Sequence, residues 1–241
     1  MEVISRLFTL IVFVLLTIVY FFFTFGTTDE MQIILTIATF LFATFTGFFM
    51  ARQGSRYSSL RQEIANFDGH ISSIYRSFKH LGAGPTKEAA KVIKKHYRVA
   101  LEQDAWDYHF KNKSTTLTDL HRILDKIKDG NSDVEKLSME YIISSLQQLQ
   151  LSRKAMVNLS LERIPMYQWV LIMLLAGILL LTVSAVPTIY AFVPSLLKGA
   201  FGTSIVVVLM ILWELDTLSF FESEFGERSA EDVLAIIAGK K

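Results

Sequence analysis

The residues with the right chemistry to act on a ligand are gathered in the polar middle of this 241-residue chain. Trp106, Asp107, Tyr108, His109 and Phe110 put an indole, a carboxylate, a phenol and an imidazole into one pentapeptide. Such a set offers acid–base groups, and the same composition also packs helix ends. Lys91, Lys94, Lys95 and Arg98 would hold anionic lipid heads or simply solvate a helix face. The five histidines, at 70, 80, 96, 109 and 121, are scattered, and there is no cysteine. No glycine-rich phosphate loop, paired metal-binding histidines or nucleophile elbow is present. The expectation is a protein that is not an enzyme, with no organic cofactor and no nucleic-acid partner.

The elements that carry these residues are set by where charge is missing. Leu7 to Thr28, Met31 to Ala51, Ile164 to Leu197 and Gly199 to Trp213 contain no charged side chain. About 20 apolar helical residues cross a hydrocarbon core of roughly 30 Å. The first run is long, rich in Phe and lacks a small-x-small cleavage pattern before Asp29, so it reads as a span rather than a signal peptide. The expected fold is an all-α membrane protein with four transmembrane helices and a cytoplasmic helical bundle inserted between spans two and three. Residues 1–51 form a first hairpin, 52–163 the cytoplasmic domain, 164–215 a second hairpin and 216–241 an acidic tail. No ionisable group lies near the middle of a span, which counts against ion-coupled transport and leaves a passive pore or a scaffold.

Charge also predicts orientation. Between Arg52 and Arg163 there are 19 Lys and Arg against 13 Asp and Glu, whereas the first hairpin turn carries only Asp29 and Glu30. The positive-inside rule then places the insert and both termini in the cytoplasm, with the chain multi-pass in the plasma membrane. Span two runs on beyond the bilayer: Tyr57, Leu60, Ile64, Phe67, Ile71, Ile74, Phe78 and Leu81 repeat at spacings of three and four, a heptad seam with one face buried. Gly82, Gly84 and Pro85 end it. A helix follows from Pro85 to about Lys111, then Asn112 to Thr116 as a loop and a short helix marked by Leu117, Leu120, Leu124 and Ile127. Asp129, Gly130 and Asn131 signal a turn. Ser132, with Glu135 at the capping-box position, opens a helix to Arg163 that is expected to continue through a kink at Pro165 into span three. Pro187 and Pro194 bracket an apolar outer turn, and Gly199 and Gly202 allow close backbone approach in span four.

This layout resembles the bestrophins, and more closely the bacterial bestrophin-like membrane proteins. Gly47, Phe48 and Phe49, followed by Arg56 and Tyr57, are similar to the Gly-aromatic-aromatic and later Arg-aromatic of bestrophin pore helices. Ile74, Tyr75 and Arg76 resemble the aromatic-Arg element of the bacterial group, and Pro165 with Trp169 and Leu215 with Asp216 also fit. Phe67 stands where that group often has an acid, and Leu218 and Ser219 replace its Pro-Phe. The resemblance implies a homo-oligomer, a pentamer in bestrophins, that conducts inorganic anions through a pore lined by span two. Phe40, Thr44 and Phe48 then fall on one stripe as its neck, with Thr44 in place of an aromatic. It also implies calcium as a metal, since Glu222, Glu224, Glu227, Glu231 and Asp232 lie where calcium-responsive bestrophins carry an acidic clasp. The alternative is a non-conducting membrane scaffold or sensor that binds a partner through its cytoplasmic helices, a reading that a dimer joined through the Tyr57 to Leu81 seam would favour.

Overall fold

The computed structural model describes residues 2–23, 29–102, 115–127, 132–186, 192–219 and 225–240. The described residues are almost all helical and include no strand. In chain order the helices are α1 (Glu2–Phe22), α2 (Asp29–Phe78), α3 (Ala83–Glu102), α4 (Thr116–Asp125), α5 (Asp133–Leu161), α6 (Met166–Ser184), α7 (Phe192–Thr217) and α8 (Phe225–Ile237). A short 3-10 turn, Lys79–Leu81, closes α2, and Gly82 at φ +100° reverses the chain into α3. The chain divides into two compact units, Met1–Ser55 with Arg163–Thr217, and Arg56–Glu162 with Leu218–Lys241.

The first unit holds α1, the first half of α2, α6 and α7. Among the described residues three helices are long and apolar enough to cross a membrane, the run from Glu30 to Leu81, Met166–Ser184 and Phe192–Thr217, while Leu7–Phe22 is a shorter apolar stretch. Their sequences lack a polar face because both sides meet apolar surroundings. Ile172, Leu175, Leu179, Ile205 and Leu212 fill the interior with Phe42 and Phe49, while Ile37, Leu171, Met173, Leu174, Leu181 and Leu197 stand exposed. Such a surface is stable only where water is absent, and the hydroxyls conform to that: Thr36, Thr39, Thr44, Thr46, Thr182 and Thr203 each donate to the carbonyl four residues back. Gly199 and Gly202 do permit close packing. A Cβ on Gly199 would run into Thr17 of α1, whose Cα is only 3.1 Å away, and one on Gly202 would meet Leu16 at 3.0 Å and Leu180 at 3.2 Å.

The second unit is a helical bundle around the seam of α2. Leu60, Ile64, Phe67, Ile71, Ile74 and Phe78 are all buried, packed in one core with Ile93 and Tyr97 of α3, Leu120 of α4, Ile142, Leu146 and Leu149 of α5, and Val233 and Ile237 of α8. The seam is therefore packed against the chain's own helices. Ser132 caps α5, its hydroxyl accepting from the Glu135 N–H at 3.2 Å.

One expectation is overturned. The last helix of the insert stops at Leu161 and is not continuous with span three: residues 162–165 are non-helical and α6 starts afresh at Met166. Pro165 has no N–H and its ring drives Ile164 out of helical conformation, so Ile164 turns its own N–H to a side chain instead. The interhelical corner expected at Pro187 and the turn at 129–131 lie outside the described residues, as does the 106–110 cluster.

Candidate pore-lining stripe of α2 and its supports

Helix α2 carries two stripes of opposite character in the first unit. Ala38, Phe42, Thr46, Phe49 and Gln53, spaced 4, 4, 3 and 4, are buried. On the other side Phe40 is 69% exposed and Phe48 62% exposed, with Thr44 exposed between them and Ile33 and Ile37 extending the line. Eight residues at 1.5 Å rise make the Phe40 to Phe48 stretch about 12 Å long. Thr44 donates its hydroxyl to the Phe40 carbonyl at 2.8 Å, so its polar hydrogen is satisfied within the helix. The stripe is therefore apolar throughout. Gly47 leaves open space beside Phe48, and Phe48 meets Phe49 edge to face with centroids 5.4 Å apart. The aromatic pair thus divides its labour, one ring inside and one outside.

The ends of the helices flanking α2 are tied by Asp216. This carboxylate is 5% exposed and accepts from the Ile164 N–H at 2.7 Å and from the Trp169 indole N–H at 3.3 Å. Trp169 also stacks edge to face on Trp213, 5.6 Å between centroids. The Pro165–Trp169 and Leu215–Asp216 fragments, read separately in the sequence, meet here in one buried knot. At the other end of α7, Lys198 is buried and donates to the Val186 carbonyl, placing a cation where the last carbonyls of α6 lack helical partners. Sequence reading placed Lys198 at a boundary between two apolar runs and missed its burial.

In the second unit Arg56 is a capping residue. Its Nε donates to Leu159 O at 2.6 Å and its Nη2 to Ser160 O at 2.9 Å, closing the C-terminus of α5. Tyr75 donates to Ile237 O at 3.4 Å, Ile74 is core and Arg76 is exposed. Phe67 is core, and the acid sits one residue on: Asp68 is buried and accepts from the Tyr97 hydroxyl. Burial pushes the Tyr97 hydroxyl well above its ordinary range, and the neighbouring Asp68 carboxylate adds to the rise. His96 and Thr116 share a hydrogen bond at 3.1 Å beside this pair. Nothing in the local sequence distinguished Asp68 from a surface acid.

Of the acids expected to bind calcium, Glu222 and Glu224 lie outside the described residues. Glu227, Glu231 and Asp232 lie on α8, where Glu231 and Asp232 are adjacent and exposed. Among the described residues no three His, Cys, Asp or Glu side chains converge on a metal-sized site.

No curated protein and no solved structure matches the chain. A family model, the Bestrophin-like domain, matches residues 7–218. That span takes in nearly all of the first unit and the knot at Asp216, and with the apolar helices it makes the chain a membrane protein that belongs to the Bestrophin-like family.

Proposed function

We propose that this protein is an oligomeric ion channel of the bestrophin type that conducts anions, its pore walled by α2 from each copy and its neck formed by Phe40, Thr44 and Phe48. In this reading α1 is a fourth span, the second unit and both termini are cytoplasmic, and the plasma membrane holds a ring of identical subunits, five by resemblance. The observation that carries it is the outward apolar stripe of α2: the opposite face is filled by the chain's own helices, while Phe40 and Phe48 stand free. A ring of such side chains is a constriction that gates by dewetting.

The test is flux from liposomes containing purified protein, chloride beside potassium, wild type beside Phe48→Ala. A neck residue cut back to Ala widens an apolar constriction, so chloride flux should rise. If Phe48 merely faces lipid, flux should not change. Silence of both variants toward both ions, with oligomers intact, would refute the channel.

One observation favours the second reading, a scaffold. Val134, Leu137 and Tyr141 on α5 are exposed at spacings of three and four, an outward apolar strip on a helix of the second unit. A partner captured by wild type and lost on Leu137→Glu would support that role.

A further inference from the structure

The exposed side of α3 is mainly basic from Lys87 to Arg98, with Glu88 and Glu102 its exposed acids. Lys87, Lys91, Lys94, Lys95 and Arg98 are exposed, while Ala89, Ile93, His96, Tyr97 and Ala100 on the other side are buried. At about 100° per residue, Lys87, Lys91, Lys94 and Arg98 fall within an arc of roughly 60°, and eleven residues at 1.5 Å rise make the line about 16 Å long. The five cations share one open face of α3 with Ala90 and Val99. Lys94 and Arg98 also border a hollow of about 470 Å³ with Leu101 and Glu102 of α3 and Leu234 of α8. Glu88, the acid within this stretch, is turned to Lys126 of α4 at 3.2 Å. None of the five makes an ion pair among the described residues. Like charges at i, i+4 repel, and the pairs Lys87–Lys91, Lys91–Lys95 and Lys94–Arg98 all have that spacing.

We infer that the basic face of α3 is a binding site for a soluble anion that carries several linked phosphates. Charge and shape together select this occupant. A line of cations some 16 Å long is several times the size of one phosphate, and four of the five are lysines, compact point charges on flexible stems that adapt to a chain of charges rather than gripping one group in a fixed fork. A membrane surface fits less well, because α3 exposes no large apolar side chain to insert among lipids. Single-stranded nucleic acid fits less well too, because the aromatic rings of α3, His96 and Tyr97, are buried and offer no stacking platform. The site does not depend on conduction, so its test stands apart from the flux measurement.

The test is calorimetry on the full-length protein in detergent, with inorganic tripolyphosphate as the probe and orthophosphate beside it. Tripolyphosphate should bind saturably, orthophosphate more weakly, and affinity should fall steeply as salt is raised. Each cation removed should cost about fivefold, so Lys91→Gln with Lys94→Gln and Arg98→Gln should weaken binding roughly a hundredfold. A control with equal charge loss on other exposed lysines, Lys136→Gln with Lys154→Gln and Lys240→Gln, should stay within a few-fold of wild type. Should the triple variant elute as aggregate, the single Lys91→Gln, expected to lose about fivefold, replaces it. No saturable tripolyphosphate binding, or equal loss in the control, would overturn the site. Flotation with phosphatidylglycerol vesicles that the triple variant loses, in a protein deaf to tripolyphosphate, would overturn it in favour of lipid headgroups.

Discussion

Replacing Asp216 by Ala should be among the most damaging single changes in the first unit. The carboxylate is buried and accepts two N–H groups, the Ile164 amide at 2.7 Å and the Trp169 indole at 3.3 Å. Ala leaves both donors without that acceptor, and an unsatisfied buried donor costs about 1–3 kcal/mol. The sum is roughly 2–6 kcal/mol, and at about 2–4 °C per kcal/mol for a chain of this size the melting midpoint should drop by roughly 4–24 °C. Asp216→Asn keeps one oxygen as acceptor and should lose about half as much. Fluorescence-detected gel filtration after heating reads the midpoint without requiring reversible unfolding. Trp169→Phe removes one of the two donors, so its loss and that of Asp216→Ala should add to less than their sum. A midpoint for Asp216→Ala within 2 °C of wild type, or strict additivity with Trp169→Phe, would show that the knot does not hold the helix ends and that the reasoning from its geometry fails.

Gly199→Val should destabilise by about 1–3 kcal/mol or more because its side chain must displace Thr17, and Thr17→Ala should restore part of the loss; an unaffected midpoint would refute the close approach of α1 and α7. The Tyr97 hydroxyl is held protonated in the folded chain, so the stability it confers is complete below about pH 10 and falls as pH climbs from there toward its raised folded value. Tyr97→Phe should lack that share of the alkaline decline, and parallel pH–stability curves for the two proteins would count against it. For topology, a cysteine placed at Asn131 in this cysteine-free chain should resist an impermeant thiol reagent in intact cells and react after lysis; labelling from outside would invert the orientation.

Local patterns were readable and distant partnerships were not. The seam from Leu60 to Phe78 could be seen because a helix that buries one face repeats its apolar residues at its own period, and the Ser132 cap because a cap and its target lie three residues apart. The break at 162–165 was underestimated. Pro165 marked a disturbance, but whether a proline kinks a helix or ends it depends on whether the freed amide finds another acceptor, and that acceptor, Asp216, lies 52 residues away. Arg56 and Lys198 failed to announce their roles for the same reason, since each serves carbonyls at the end of another helix. The stripe of Phe40, Thr44 and Phe48 was legible as a line on α2 because its spacing follows the helical period.

The length of α2 has a consequence for how such a chain can change over generations. Its buried positions keep one helical phase over forty residues, from Ala38 through Phe49 and Leu60 to Phe78. Inserting or deleting one residue anywhere along it turns everything beyond by about 100°, so the buried stripe no longer faces its core. Additions of about seven or eleven residues nearly restore the phase. Gene length within this helix should therefore be quantised: relatives ought to differ in α2 by whole repeats or not at all, and single-codon indels should collect in the connections between helices instead.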